Sequence, residues 1–371
     1  MKMTLVGPVY PYRGGIAHFT TMLALKLKEA GNEVQVISFR KQFPNWLYPG
    51  KSDKDTSEGR VKVDASFVLS PLNPFDWKKT IGLIKKFKPD RVLFQWWVTF
   101  WGLALGVVTR SLRRKGFDIH CLIHNALPHE PKFFDSFITK YALSAVDSFV
   151  VMNEREATTI KRTISNSAIV KHSPLPVFQV FNNRFLSKND ARTLLSLPLE
   201  KKLVLFFGII RPYKGLKTLL YALAEIVKRN KDFELLIVGE FWESKEEYLD
   251  LINDLSLNEH VRIIDQYIPD DQASYYFNAA DVFVAPYSDG TQSASVKAAL
   301  GFGIPMVITQ VIEDKTLKSH PEICTIVQLE NYKELATAII GSIQKSRLSR
   351  EEIDFLSDDS WADLLSQILS N

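Results

Sequence analysis

Four loops of this chain carry residue types that could do chemistry. The first is Gly7-Pro8-Val9-Tyr10-Pro11-Tyr12-Arg13-Gly14-Gly15-Ile16-Ala17. Gly14 and Gly15 open a helical pattern, and the free N–H groups of a helix start attract an anion; a plain tight turn is the alternative. The second is Phe206-Phe207-Gly208-Ile209-Ile210-Arg211-Pro212-Tyr213-Lys214-Gly215-Leu216. Here a strand pattern runs through two cations into a helix. A helix start prefers acids, so Arg211 and Lys214 point to an anionic ligand such as a pyrophosphate; two solvated surface cations are the bland reading. The third is Pro286-Tyr287-Ser288-Asp289-Gly290-Thr291-Gln292-Ser293-Ala294-Ser295. Its N–H groups and hydroxyls can hold phosphate or sugar oxygens, or Thr291 or Ser293 simply caps the helix that follows. The fourth is Ile123-His124-Asn125-Ala126-Leu127-Pro128-His129-Glu130. His124 closes a strand, where it can hydrogen-bond a substrate hydroxyl or move a proton; a satisfied structural histidine is the alternative. His120 and His124 would share a strand face, but a third metal ligand is not evident, so no metal site is assigned. His129-Glu130 is expected to fix the loop.

Other chemistries fit poorly. The first loop lacks Gly-x-Gly-x-x-Gly, which argues against a nicotinamide dehydrogenase. It also lacks Gly-x-x-x-x-Gly-Lys-[Ser/Thr], which argues against a P-loop ATPase. Cys121 and Cys324 are the only cysteines. They exclude a zinc or disulfide framework and read as buried reduced thiols. No paired acids stand in the four loops, so a sugar-nucleotide epimerase working by acid–base exchange ranks low.

The loops need a scaffold that presents strand ends. Short apolar runs at residues 3–6, 33–38, 65–69, 91–95, 119–124 and 148–152 alternate with helical patterns, the first at 16–29 and stopped by Gly31. Residues 41–60 read as a mobile loop. A polar stretch at 182–189, after Pro174 and Pro176, reads as a linker. The alternation then restarts, with strands near 203–207, 234–238, 261–264, 282–285, 306–308 and 325–328 and helices near 216–228 and 246–256. A final amphipathic helix is expected over 360–368, capped by Ser360. Strands alternating with helices mean parallel sheets built from βαβ units. The expectation is α/β, with two doubly wound, Rossmann-like domains facing a cleft. Residues 1–175 would form an acceptor-side domain and 176–190 the linker. Residues 191–358 would form a donor domain, and 359–371 a helix crossing back to the first domain.

At 371 residues the chain is long enough for two such domains. Its net charge is only +4, but residues 1–180 hold 26 Lys/Arg against 14 Asp/Glu, and the remainder 20 against 28. A sign change between halves suggests different partners. Between Lys78 and Lys115 there are ten basic residues and one acid, Asp90, around the apolar run Trp96-Trp97-Val98-Thr99-Phe100-Trp101-Gly102-Leu103-Ala104-Leu105-Gly106. Cations beside aromatics suit an anionic membrane surface; a buried helix with a basic solvated end is the alternative, and nucleic acid is not expected as a partner. The longest membrane-like piece, residues 96–109, is too short to span. With no targeting segment evident, a cytoplasmic protein, peripheral at the inner face of the membrane, is expected.

Taken together, the loops resemble the retaining glycosyltransferases of family 4, on the GT-B fold. Gly14-Gly15-Ile16 matches that family's glycine pair, and residues 208–215 match its phosphate loop, with Lys214 at the family lysine. Asp281-Val282-Phe283-Val284-Ala285-Pro286 resembles the strand before its donor loop. Gly303-Ile304-Pro305-Met306-Val307-Ile308 resembles the stretch after it, and Asp358-Asp359-Ser360-Trp361 the closing motif. Two features depart from the pattern. The two donor-loop glutamates fall at Gly290 and Ala298, and the arginine after the phosphate-loop glycine is Ile209, with Arg211 two places on. The resemblance implies metal-independent transfer of a sugar, with retention, from a nucleotide diphosphate sugar to a glycan or lipid-linked acceptor. The nucleotide sugar is a co-substrate and no cofactor is implied. Arg211 and Lys214 would neutralise the departing diphosphate, while Gly14, Gly15, Thr291, Gln292 and Ser293 cradle it. His124 would orient the sugar, with Asn125 beside it among the donor contacts. Base and ribose would lie near Gly239-Glu240 and Tyr267-Ile268. The runner-up is a catalytically silent nucleotide-sugar-binding or partner subunit, favoured by Gly290 and Ala298.

Overall fold

The computed structural model describes residues 1–43, 52–57, 61–128, 132–179 and 186–370. The greater part of the expected loop at 41–60, and both His129 and Glu130, lie outside the described residues. The chain divides into two compact units. Unit 1 takes Met1–Thr56, Val61–Pro174 and Trp361–Asn371; unit 2 takes Ser57–Arg60 and Leu175–Ser360.

Unit 1 is built on seven parallel strands: β1 (Lys2–Val6), β2 (Glu33–Phe39), β3 (Ala65–Leu69), β4 (Arg91–Trp96), β5 (Asp118–Ile123), β6 (Ser148–Val151) and β7 (Ile169–His172). Their order in the sheet is β3-β2-β1-β4-β5-β6-β7. The winding therefore reverses between β1 and β4, and ligands of doubly wound sheets bind beyond the strand ends at such a reversal. The sheet interior is apolar in both directions, as helices on both faces demand: β4 is buried along its whole length. The run from Trp96 to Gly106 is mostly packing. Trp96 and Trp101 are buried, and Trp97 and Phe100 pack half-buried against the same core. In the helix Gly102–Arg113, Gly102 and Gly106 lie against the helix Asp135–Leu143 so closely that a Cβ would strike Ile138 or Tyr141. The tryptophans of this run thus pack in or against the core, and of the basic residues around it Arg91 is buried while Lys78, Lys85, Arg113, Arg114 and Lys115 are solvated.

Unit 2 is built on six parallel strands: β8 (Lys202–Phe207), β9 (Phe233–Val238), β10 (Val261–Ile264), β11 (Val282–Ala285), β12 (Met306–Thr309) and β13 (Cys324–Val327), in the order β10-β9-β8-β11-β12-β13. Here the reversal lies between β8 and β11. On β8, Leu203 and Leu205 enter one core while Val204 and Phe206 enter the other, so both faces are covered. Cys121 and Cys324 are both free and buried.

Some elements differ from expectation. Residues 175–179 belong to unit 2, where Val177 and Phe178 are buried, and the helix Lys188–Leu194 begins inside the stretch read as linker. Its start is set by Ser187, whose side chain accepts from the Asp190 N–H. Residues 180–185 lie outside the described residues. The last helix is longer than expected and runs Arg350–Leu369. Its start is a capping box: the Glu352 N–H donates to Ser349 Oγ at 3.3 Å, and the Glu352 carboxylate accepts from the Ser349 N–H at 2.7 Å. Ser360 is therefore mid-helix rather than a cap; its hydroxyl donates to the Ser357 carbonyl and accepts from the Val177 N–H. The first part of this helix belongs to unit 2, and the part from Trp361 onward to unit 1.

Candidate functional site

In unit 2 the loops that follow β8 and β11 meet at the reversal of strand order. After β8 the chain turns at Gly208, whose φ of 116° lies in the region that disfavours side chains. A Cβ placed there would lie 3.1 Å from both Lys214 Nζ and Ser295 Oγ. The ammonium and the hydroxyl therefore converge over one glycine at the end of a central strand. Lys214 is only 9% exposed, and burial pushes its ammonium below the ordinary lysine range. Among the described residues no carboxylate lies within ion-pair distance of it; its cationic head instead lies 5.3 Å from the centre of the Tyr287 ring. A buried cation without an anion is unfavourable unless something supplies one.

The two loops brace each other. Gly215 is left-handed, and a Cβ there would sit 1.9 Å from the Pro286 carbonyl oxygen. The Ser288 N–H donates to the Tyr213 carbonyl at 2.7 Å, and the Tyr213 and Tyr287 rings meet edge-on. Ser293 caps the helix Ala294–Gly301, accepting from the Val296 N–H, and its Oγ is 3.2 Å from the Tyr287 hydroxyl. Ser293 is thus a capping residue as well as a candidate contact, and Thr291 and Gln292 precede it half-buried. Gly290 has φ of 149°, and Ala298 is buried among apolar residues of the core. A side-chain acceptor is lacking at both positions, and Ala298 is turned inward.

Arg211 opens the short turn Pro212–Lys214, and its guanidinium stacks 4.8 Å over the Trp242 indole. Trp242 Nε1 in turn donates to Glu240 at 3.3 Å. Gly239 ends β9 at φ 147°, and a Cβ there would strike the Gly208 carbonyl. The Tyr267 hydroxyl is 3.5 Å from the Asp270 carboxylate. Ile268 is a core residue, so only its backbone can meet a ligand.

In unit 1, Gly14 caps the helix Gly15–Glu29 at φ 100° with open space where a Cβ would be, and the first turn holds no acid. Gly15 is the first helical residue. His124 stands one residue beyond β5 and is 4% exposed. Its Nε2 lies 2.6 Å from Gln95 Oε1, and Phe19 meets its ring edge-on. Burial lowers its pKa to about 3, so the imidazole is neutral at ordinary pH. Asn125 follows, half-buried. His120 is held by Asp118 at 3.0 Å, within β5.

The sequence reading did not single out Ser295, Tyr287, Trp242 or Gln95. Ser295 stands two residues past the cap, so helical phase could have flagged it. The other three depend on which strands lie side by side.

Two doubly wound parallel sheets define a GT-B type of architecture. Comparison with solved structures agrees. Sucrose-phosphate synthase from Thermosynechococcus elongatus matches with a TM-score of 0.68 at 18% identity, over 99% of this chain and 95% of that one. The Anabaena protein HepE, solved in complex with UDP, matches with a TM-score of 0.67 at 14% identity over the same shares. At these identities the likeness is one of fold. Residues 201–345, within unit 2, match the family described as glycosyl transferases group 1. Curated relatives include the D-inositol 3-phosphate glycosyltransferase of Corynebacterium efficiens, 25% identical over 189 residues. The phosphatidyl-myo-inositol mannosyltransferase of Mycolicibacterium smegmatis is 29% identical over 161 residues. These matches take up 48% and 43% of this chain and 44% and 40% of those proteins, so the chain spans less than half the length of these two relatives.

Proposed function

We propose that the protein transfers a sugar from a nucleoside diphosphate sugar, as a retaining, metal-independent enzyme of the family 4 type. The carrying observation is Lys214: a buried ammonium without a carboxylate among the described residues, converging with Ser295 over Gly208 at the strand-order reversal of unit 2. A diphosphate would supply the missing anion, and stabilising it as it leaves is the main electrostatic need of glycosyl transfer. Arg211 would add a second cation. Thr291, Gln292 and Ser293 would contact phosphate or sugar oxygens, and Gly14 and Gly15 would offer N–H groups. Glu240, in place of the missing family glutamate, would meet the ribose, with Gly239, Tyr267 and Ile268 near the base. His124, with Asn125, would orient the transferred sugar.

The acceptor is a glycan or lipid-linked precursor, met by a cytoplasmic protein peripheral at an anionic membrane. Two observations support this. A groove of about 520 Å³ in unit 1 is lined by Trp77, Lys78, Ile81, Lys85, Val107 and Lys115, and no carboxylate pairs with its three lysines among the described residues. Phe75 and Phe133, in the same unit, are 83% and 96% exposed, which suits insertion at an interface.

The test is a thermal-shift screen with UDP, GDP, ADP and dTDP and their sugars on wild type and Lys214→Ala. A ligand selective for the native state adds about 2.7 kcal/mol at a hundred times its dissociation constant. A shift from one nucleotide, lost in Lys214→Ala, is expected; no shift from any of them would sink the reading. Gly290 and Ala298 favour a second reading, a silent nucleotide-sugar-binding subunit. It predicts the same shift without transfer or donor hydrolysis.

A further inference from the structure

Beyond the ends of β8 and β9 in unit 2 the two chains pair once more. Gly208 and Gly239 close these strands at φ of 116° and 147°, and a Cβ on Gly239 would lie 2.1 Å from the Gly208 carbonyl oxygen, so glycine is what permits the approach. Past it, the Ile210 N–H donates to the Glu240 carbonyl at 2.9 Å and the Trp242 N–H donates to the Ile210 carbonyl at 3.1 Å, a single parallel bridge between Ile210 and Phe241. Ile210 is fully buried and anchors the bridge. Successive extended residues point to opposite sides, so Arg211, at φ −143° and ψ 156°, leaves the side that Ile210 fills. Trp242 stands beside it on the neighbouring chain and receives the guanidinium 4.8 Å from the centre of its ring. The Trp242 segment is itself fixed: the indole Nε1 donates to Glu240 at 3.3 Å, and the Phe241 N–H donates to the Asp265 carboxylate at 3.2 Å.

The pairing differs from an ordinary surface cation seeking an acid. Acids stand in the same loop, yet Glu240 accepts from Trp242 and Glu243 from the Tyr248 hydroxyl at 2.6 Å, and no carboxylate lies within ion-pair distance of Arg211 among the described residues. Arg211 is instead near enough to Lys214 for its charge to disfavour the ammonium. Two like charges held together without an acid favour a ligand that carries more than one negative charge. We propose that Trp242 is a positioning residue, whose indole face holds the Arg211 guanidinium ready to donate to the diphosphate of the donor. The proposal rests on the donor-site reading given above. An arginine free on a loop loses rotamer freedom when it takes an anion, whereas one already stacked on a fixed ring loses less, so the stack raises affinity by pre-organisation.

The test is isothermal titration of wild type, Arg211→Ala, Trp242→Leu, Trp242→Phe and the Arg211→Ala/Trp242→Leu double variant with UDP, GDP, ADP and dTDP. Arg211→Ala is expected to weaken the diphosphate that wild type binds by roughly tenfold, as loss of a hydrogen bond between charged groups does, and Trp242→Leu to weaken it several-fold. The double variant binds no more weakly than Arg211→Ala alone, because the indole acts through the guanidinium. Trp242→Phe, which keeps an aromatic face, recovers most of the loss. In the ligand-free protein the Arg211 Nε–H proton, assigned by its loss in Arg211→Ala, is shifted upfield by the indole and moves downfield in Trp242→Leu. Losses that add in the double variant would overturn the proposal, since the indole would then meet the ligand on its own account, and so would an Nε–H signal that does not move. Either result leaves the donor-site reading standing. If wild type binds none of the diphosphates, that reading falls and the role of Trp242 falls with it.

Discussion

Burial disfavours the charged form of Lys214 in the ligand-free fold. Its ammonium is largely desolvated and lacks an anion among the described residues, so removing the charge should relieve strain in the empty protein while destroying the ligand site. Lys214→Met is expected to leave the ligand-free Tm unchanged or higher and to abolish any nucleotide-induced rise. A fall in ligand-free Tm with the nucleotide response intact would contradict the reading. His124 makes a separate prediction about pH. Its pKa is about 3 in the folded chain against an ordinary 6.5, so the unfolded chain binds the extra proton first as pH falls. Stability from this group is complete above about 6.5 and is lost progressively toward 3. Replacing His124 with Gln should flatten the dependence of denaturation midpoint on pH across that window. An equally steep profile in the variant would assign the acid sensitivity to other groups.

Elements follow from the same local rules, and some were easier to read than others. The strands were legible because each is a short apolar run between polar turns, and all of those named in the sequence recur within two residues of their expected ends. β7 (Ile169–His172) was not assigned; two of its four residues are exposed, and its pattern carries a lysine and a histidine. The helix Asp270–Ala279 was missed because Tyr275, Tyr276 and Phe277 are residues that favour strands. The last helix reads short because Ser360 looks like a cap, while the actual cap is Ser349, paired with Glu352 and eleven residues earlier. Cations in a strand–loop–helix setting made the candidate site of unit 2 legible. The meeting of Ser295 with Gly208, and of Gln95 with His124, was not legible, because it requires the sheet orders β8-β11 and β1-β4-β5. At this scale Gly301 offers a sharp test. A Cβ there would lie 2.1 Å from the Phe178 carbonyl oxygen, where residues 175–179 pass over the helix Ala294–Gly301. Gly301→Ala should destabilise unit 2 by about 1–3 kcal/mol, seen as a lower denaturant midpoint at unchanged slope. Wild-type stability would mean that this segment shifts aside freely.

For the whole molecule, the charge split is the feature that composition alone exposes. The chain is nearly balanced overall, yet its N-terminal half is basic and its C-terminal half acidic. No helix among the described residues is long and apolar enough to cross a membrane, so any membrane contact through residues 78–115 must be made at the surface. Co-sedimentation with vesicles is expected when the vesicles carry anionic lipid and to fade at high salt, because surface attraction is screened over about 10 Å at 0.1 M. Replacing Lys78, Lys85 and Lys115 together with Gln should weaken it several-fold. Equal binding to neutral and anionic vesicles, or none at all, would remove the membrane reading and leave a soluble acceptor.

The split ownership of the last helix has a consequence for biosynthesis. Trp361 stacks on Phe19, beside His124, and the Arg91 guanidinium on β4 donates to the carbonyls of Ile368 and Ser370. The unit whose first strand emerges earliest from the ribosome therefore cannot close its packing until residues 361–370 have been translated. Unit 2 receives all of its own residues sooner. Completion of unit 1 would run against the direction of synthesis, with its early strands waiting on residues 361–370.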